Sequence, residues 1–303
     1  MSDGAAALRA RMAGASDLQS MARTMKSIAA ANIGQYEQAA RSLDLYYEVV
    51  QDSLALCLRR APERRAPAGK RPGGGITAAI VFGSDQGLVG QFNETICAQL
   101  MAEPVGSSSG PYTLIWAVGE RAAALLGERH AAHLAPLPLP ASIDAVTALV
   151  GRLLIAIEAA GAQDGISSVD VFYHRPAGAS QYAPVCERLL PLDDDWLRKL
   201  LARPWPGAAR AQVLAPYEAT LRSCIREYLF VSLFRACAAS LASENAARLA
   251  AMQRAEKNIG DKLQTLTQTF HRQRQGAIDD ELFDLVAGFE ADAGTPKRAS
   301  TQN

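Results

Sequence analysis

The chain has 303 residues, 49% hydrophobic and only 6% aromatic, and its 31 basic residues balance 31 acidic ones. That length suits one large domain or two modest ones, and the composition excludes a disordered or fibrous chain. A net charge of zero excludes a strongly basic nucleic-acid binder.

Much of the apolar share is alanine, which favours helix and lets helices pack closely. No run approaches roughly 18 uninterrupted apolar residues, so no membrane span is expected. The opening residues MSDGAAALRARMAG lack the apolar core of a secretory signal, and Asp3 and Asp17 argue against a transit peptide. The cysteines, Cys57, Cys97, Cys186, Cys224 and Cys237, form no CxxC pair. On one helix Cys224 and Cys237 would lie about 20 Å apart, too far to bridge. An odd, scattered set points to a reducing compartment and a cytosolic chain.

Residues 1–58 are expected to form a long helix. Leu8 to Leu58 contains no proline, and apolar positions run Leu18, Met21, Met25, Ile28, then Tyr36, Ala40, Leu43, Tyr47, Val50, Leu54 and Cys57. Their three-four spacing marks a coiled-coil seam, which slips at Asn32 and Gly34. Such a helix would measure about 75 Å. Residues 59–75 read as a basic linker, with Pro62, Pro67, Pro72 and Gly73–Gly75 as breakers.

Residues 76–206 read as an α/β domain. Strands are expected at Ile76–Phe82, Tyr112–Val118, Leu134–Leu139, Val169–His174 and Tyr182–Leu190, the third of them limited by proline to a sheet edge. Helices follow from Asn93, at Glu120–Leu126 and at Ile143–Ala160, the last with Ser142 as N-cap. Residues 207–290 give a second long helix, proline-free from Pro216 to about Gly288 and about 110 Å in length. Its seam runs through Leu221, Ile225, Tyr228, Leu241, Met252, Ile259, Leu263, Leu266 and Phe270. Residues 291–303 form a tail. The fold is α/β, a long antiparallel coiled coil of the terminal helices with a central Rossmann-like domain. Because the second helix is longer, part of it has no partner within the pair and must pack on something else.

Candidate chemistry is sparse. The loop Ser84–Asn93 follows a strand and precedes a helix, but it carries neither GxxxxGK[ST] nor a true GxGxxG and reads as a tight turn. His130 and His133 lack a supporting ligand cluster and read as surface residues. Asp193–Asp195 reads as a cap for the stretch around Trp196. His174 and His271 lie near no nucleophile pair. No catalytic residue, cofactor site or metal site is assigned. From Arg210 to Arg274 ten basic residues face five acidic ones, whereas Asp279, Asp280, Glu281, Asp284 and Glu290 follow with no basic residue. That acidic end either frays or, with Arg272 and Arg274, meets a partner's charges.

Four stretches carry a resemblance to a family. Met25–Ala31 is similar to M-x-x-V-A-A-A, and Ser84–Asn93 to S-D-x-G-L-C-G-x-x-N with Val89 for the cysteine. Ser240–Arg248 with Met252–Asn258 is similar to S-L-A-S-E-x-A-A-R-x-x-A-M-x-x-A-x-x-N, and Arg274–Gly288 to R-Q-x-x-I-T-x-E-L-x-E-I-V-x-G. In this order across most of the chain, they resemble the gamma subunit of F-type rotary ATP synthases.

The resemblance implies a non-catalytic rotor-stalk subunit that couples ion flow through a membrane ring to the catalytic beta subunits. Its implied partners are alpha, beta and epsilon subunits and the membrane c-ring, with no nucleic acid and no direct lipid insertion. It would lie peripherally on the cytoplasmic face of the bacterial inner membrane. The implied contact with the beta-subunit catch is Arg274 and Gln275, with Met25 and Lys26 as neighbouring surface; Met25 fits the seam equally well. Ile278, Leu282, Leu285, Val286 and Gly288 would form the apolar bearing. Glu244 and Arg248 read as a helix-surface pair worth about 0.3–0.5 kcal/mol. Asp279, Phe289, Lys26 and Asn32–Gly34 depart from the usual pattern and resemble the divergent, sodium-translocating set of bacterial rotary ATPases. From the residues alone, a coiled-coil tether or signalling protein with an embedded α/β sensor domain is the other reading.

Overall fold

The computed structural model describes residues 2–59, 76–102, 112–130, 134–163, 165–178, 181–205, 212 and 216–293. The linker beyond Arg59, His133, the side chain of His130 and the tail beyond Ala293 lie outside the described residues. Element order is α1 (Ser2–Ser42), α2 (Asp44–Arg59), β1 (Ile76–Phe82), α3 (Phe92–Ala102), β2 (Leu114–Val118) and α4 (Glu120–His130). Then follow β3 (Leu134–Leu137), α5 (Ile143–Gln163), β4 (Ile166–Pro176), β5 (Tyr182–Leu190), α6 (Asp194–Ala202) and α7 (Tyr217–Ala293). The chain forms two compact units, Met1–Lys26 with Met252–Asn303, and Ser27–Ala251.

The first unit is an antiparallel helix pair. A Cβ placed on Gly4 would lie 3.9 Å from Gln273 Oε1, and one on Gly260 would lie 3.3 Å from Gln19 Nε2. Between them the Arg9 guanidinium sits 5.1 Å from the Phe270 ring centre. Arg23 and Lys26 both reach Glu256, at 2.8 and 2.6 Å. Numbers rise along α1 as they fall along α7. The buried and half-buried line of α1 is Leu8, Met12, Ala15, Gln19, Ala22 and Lys26, and that of α7 is Met252, Glu256, Ile259, Leu263, Leu266 and Phe270.

This line corrects the expected seam. Leu18, Met21 and Ile28 are 57%, 62% and 55% exposed, so these three apolar residues of α1 face outward. The positions that face the partner instead include Ala15 and Ala22 among the larger Leu8, Met12 and Gln19. In the second unit the line continues through Ala29, Ile33, Tyr36, Ala40, Leu43, Tyr47, Val50, Leu54 and Cys57 without leaving the three-four spacing. There is no slip at Asn32–Gly34. The break comes later, at Leu43, where the Ser42 hydroxyl donates to the Ala39 carbonyl at 2.8 Å and competes with the backbone ladder. Tyr47 N–H still reaches Leu43 O at 2.8 Å, so α2 resumes on the same line.

The second unit also holds a five-stranded sheet of order β3-β2-β1-β4-β5, parallel except for β5. β3 is at the edge, where its proline was expected to confine it. Both faces of β1 are covered, which is why ITAAIVF is apolar throughout. Ala79 and Val81 pack with Ile96, Leu100, Ala122 and Leu126 of α3 and α4. Ala78, Ile80 and Phe82 pack with Leu149, Leu153 and Ile157 of α5 and with Val231, Leu233 and Cys237 of α7. Helix α5 is long and apolar enough by composition to cross a membrane, but its buried residues lie on the sheet. Ser142 Oγ accepts from Ala145 N–H, and Asp193 accepts from Asp195 and Trp196 N–H, which are the expected caps.

Ala22→Leu should therefore cost about 1–3 kcal/mol by overpacking the seam, whereas Leu18→Ala should change stability by less than about 0.5 kcal/mol. Chemical denaturation of the two variants checks this, and the reverse order would overturn the seam.

Candidate functional site: a partner-contact face

Beyond Phe270 the three-four line of α7 continues through Gln273 and Ala277 to Asp280 and Asp284. Two carboxylates cannot extend an apolar seam, so the pair ends in acid. Apolar residues reappear one to two positions along, at Ile278, Leu282, Leu285 and Val286, all exposed together with Phe283. At 3.6 residues per turn, Arg274, Gln275, Ile278, Leu282, Leu285 and Val286 fall within an arc of about 120°. Asp280 and Asp284 lie on the opposite side, and Glu281 borders the arc beside Arg274. All of 271–287 is exposed apart from the half-buried Ala277. Gly288 lies on the helix but off this arc.

Met25 and Lys26 are not beside Arg274. The antiparallel register places Lys26 at Glu256, about 27 Å along α7 from Arg274. Lys26 is also engaged within the chain: its hydrogen bond, then that of Arg23, holds the Glu256 carboxyl below the usual range. This contribution is present above the ordinary carboxylate pKa and fades as pH falls through the depressed one. Met25, half-buried, borders the seam, and Leu18 and Met21 continue an outward apolar line from it at three-four spacing. Those two residues were visible in the sequence but assigned to the wrong side of the helix.

In the sheet, β1 is flanked by β2 and β4, so the carboxyl ends of β1 and β4 border the switch point where α/β folds commonly take a ligand. Here the chain's own α7 occupies that crevice. Ser240 Oγ donates to Phe82 O at 3.4 Å and Ser243 Oγ to His174 O at 3.1 Å. Val89, Phe92 and Ala247 pack together beside them. At the two ends of the Ser84–Asn93 loop, Ser84 and Asn93 bond to each other. Asn93 Oδ1 accepts from Ser84 N–H at 2.9 Å while Asn93 Nδ2 donates to Ser84 Oγ at 2.8 Å, both buried. Gly90 and Leu88 take positive φ, and Asp85 caps the start of α4 at Glu120 N–H. His174 stacks on Phe92 with centres 4.1 Å apart, and burial lowers its pKa to about 4.

Glu244 and Arg248 do not sit on the surface. Their side chains are 4% and 14% exposed and meet at 2.8 Å. Burial pushes the Glu244 carboxyl up, Arg248 pulls it down, and Asp85 adds a further upward push. Elsewhere in this unit a cleft of about 740 Å³ is lined by Arg175, Arg188 and Arg235 among others. Each is paired, with Glu187, Asp170 and Asp44 respectively.

The family model described as ATP synthase matches residues 4–291. The chain belongs to the ATP synthase gamma family. It is 25% identical over 293 residues to the ATP synthase gamma chain of Nitrosomonas eutropha, covering 94% of this chain and 98% of that protein. The gamma chain of Granulibacter bethesdensis is 28% identical over 306 residues, with 94% and 98% covered. A chain in the Euglena gracilis mitochondrial ATP synthase structure (OSCP/F1/c-ring) shares the fold, with a TM-score of 0.68 at 15% identity and both chains fully covered. Members of this family are thus built, like this chain, from long terminal helices around a central mixed sheet.

Arg248→Met should destabilise the chain by about 3 kcal/mol at pH 7, because it leaves a buried carboxylate unpaired. A carboxyl raised in the fold is penalised more as pH rises above its unfolded value, so the loss should shrink towards pH 4. Urea titrations at both pH values measure this; an equal loss at both would contradict the buried-charge account.

Proposed function

We propose that this chain is the central rotor-stalk subunit of a rotary ATP synthase or ATPase, coupling ion flow through a membrane ring to conformational changes of catalytic beta subunits. The observation that carries the reading is the exposed apolar arc of α7, rotated off the helix-pair seam and backed by carboxylates. A helix with one apolar and one acidic side presents different contacts to different neighbours as it turns. Coupling then follows from differential contact free energy, with each beta subunit shifted according to the face it meets.

Arg274 and Gln275 contact the beta-subunit catch, and Ile278, Leu282, Leu285 and Val286 form the bearing, with Gly288 at its end. Met25 and Lys26, with Leu18 and Met21, form a separate contact area nearer the middle of the pair. The α/β unit faces an epsilon subunit and the c-ring. The chain is a non-catalytic component, a reading supported by the helix that fills the switch-point crevice. Its bacterial relatives support a peripheral position on the cytoplasmic face of the inner membrane. The departures at Lys26, Ile33 and Asp279 support membership of the divergent, sodium-translocating-like set: Lys26 serves Glu256 and Ile33 serves the seam.

Co-expression with its alpha and beta subunits should give a complex whose ATPase depends on this chain. A tether would instead purify as a self-associated rod, with hydrolysis unchanged by its removal. Within the complex, Arg274→Ala with Gln275→Ala should lower ATP-driven turnover roughly threefold to tenfold, the worth of one or two charge-assisted contacts. Unchanged turnover would remove the catch assignment.

A further inference from the structure

Cysteines scattered in sequence meet in space. Cys57, on the seam of α2 and 2% exposed, has its Sγ 3.9 Å from Cys224 Sγ on α7. Both thiols are reduced. A disulfide needs a separation of about 2.05 Å, so closure requires the two sulfurs to approach by roughly 1.9 Å. Each residue lies within about two turns of a helix end, Arg59 for α2 and Tyr217 for α7, where the backbone yields most readily. Cys224 is half-buried and reachable from solvent, while Cys57 is buried. The pair closes the point where the chain leaves the helix pair for the α/β region and returns from it.

We propose that Cys57 and Cys224 are an oxidation site, a dithiol that closes into a disulfide stapling α2 to α7 when a low-molecular-weight disulfide accumulates. The Cys224 thiolate attacks one sulfur of the small disulfide, whose S–S bond breaks and releases one thiol carrying the proton that Cys224 gave up. The Cys57 thiolate then attacks the Cys224 sulfur, the mixed disulfide breaks, and a second small thiol leaves. Two protein thiols are oxidised by two electrons and one small disulfide is reduced to two thiols. Burial, then the neighbouring Cys57 and then Glu227, push the Cys224 thiol up to about 11. At neutral pH it is protonated, so exchange is slow and the staple records sustained oxidation rather than brief pulses.

The test incubates the full chain with oxidised glutathione, blocks remaining thiols by alkylation, digests without reduction and maps the peptides by mass spectrometry. The expected product is a Cys57–Cys224 linked peptide, with two glutathione thiols released per link and the link reversed by dithiothreitol. Cys57→Ser should stop at a glutathione adduct on Cys224, and Cys224→Ser should leave Cys57 unmodified. A wild-type chain that stops at the Cys224 adduct, or links either residue elsewhere, would overturn the proposal. So would Cys57 reacting at wild-type speed in the Cys224→Ser variant.

Discussion

The antiparallel register of α1 against α7 is the constraint on which the rest depends. Ala15, Ala22 and Ala29 stand where a coiled coil more often carries Leu or Ile. The gain per residue is modest, since alanine buries little area. The line must therefore be long, and it runs at three-four spacing from Leu8 to Cys57. A short break at Leu43 does not interrupt it. The same choice turns Leu18 and Met21 outward, and an exposed apolar line on a helix marks a surface that something else covers.

Two further features follow from that register. In the helical unit, seam positions 280 and 284 are aspartates, so the pair stops in acid and the apolar residues of α7 move to another side. In the sheet-bearing unit, α7 supplies Ser240, Ser243 and Ala247 to the carboxyl ends of β1 and β4. The crevice that the strand order creates is thus closed by the chain itself. One helix carries both a structural plug at the ends of β1 and β4 and the exposed apolar arc of its last turns. The buried Glu244–Arg248 pair makes this plug sensitive to charge, because either partner alone would be stranded away from water.

Much of the fold was legible from composition and punctuation. Proline-free stretches marked α1 and α7, proline placed β3 at the edge, and Ser142 and Asp193 announced their helices. What misled was size. Periodicity weighted by large apolar residues selected Leu18, Met21 and Ile28, whereas the packing uses the alanines between them, and an imagined slip was needed to reconcile the two halves. Glu244 and Arg248 looked like a surface pair because i,i+4 spacing carries no information on burial. Cys57 and Cys224 could not be joined from spacing, since their approach depends on the register of two helices separated by the whole α/β region. The apolar arc of Arg274–Val286 was visible as a motif, but its rotation off the seam required the seam to be located first.

The central claim is that this rotated arc is a face filled by the family's partner subunits. Hydrogen–deuterium exchange of the chain alone and assembled with alpha and beta subunits tests it most directly, because exposed helical amides open locally unless covered. Exchange should slow across 274–286 and across 18–25 in the complex, with β1 and β4 unchanged. Exchange at 274–286 as fast in the complex as in the isolated chain would contradict it.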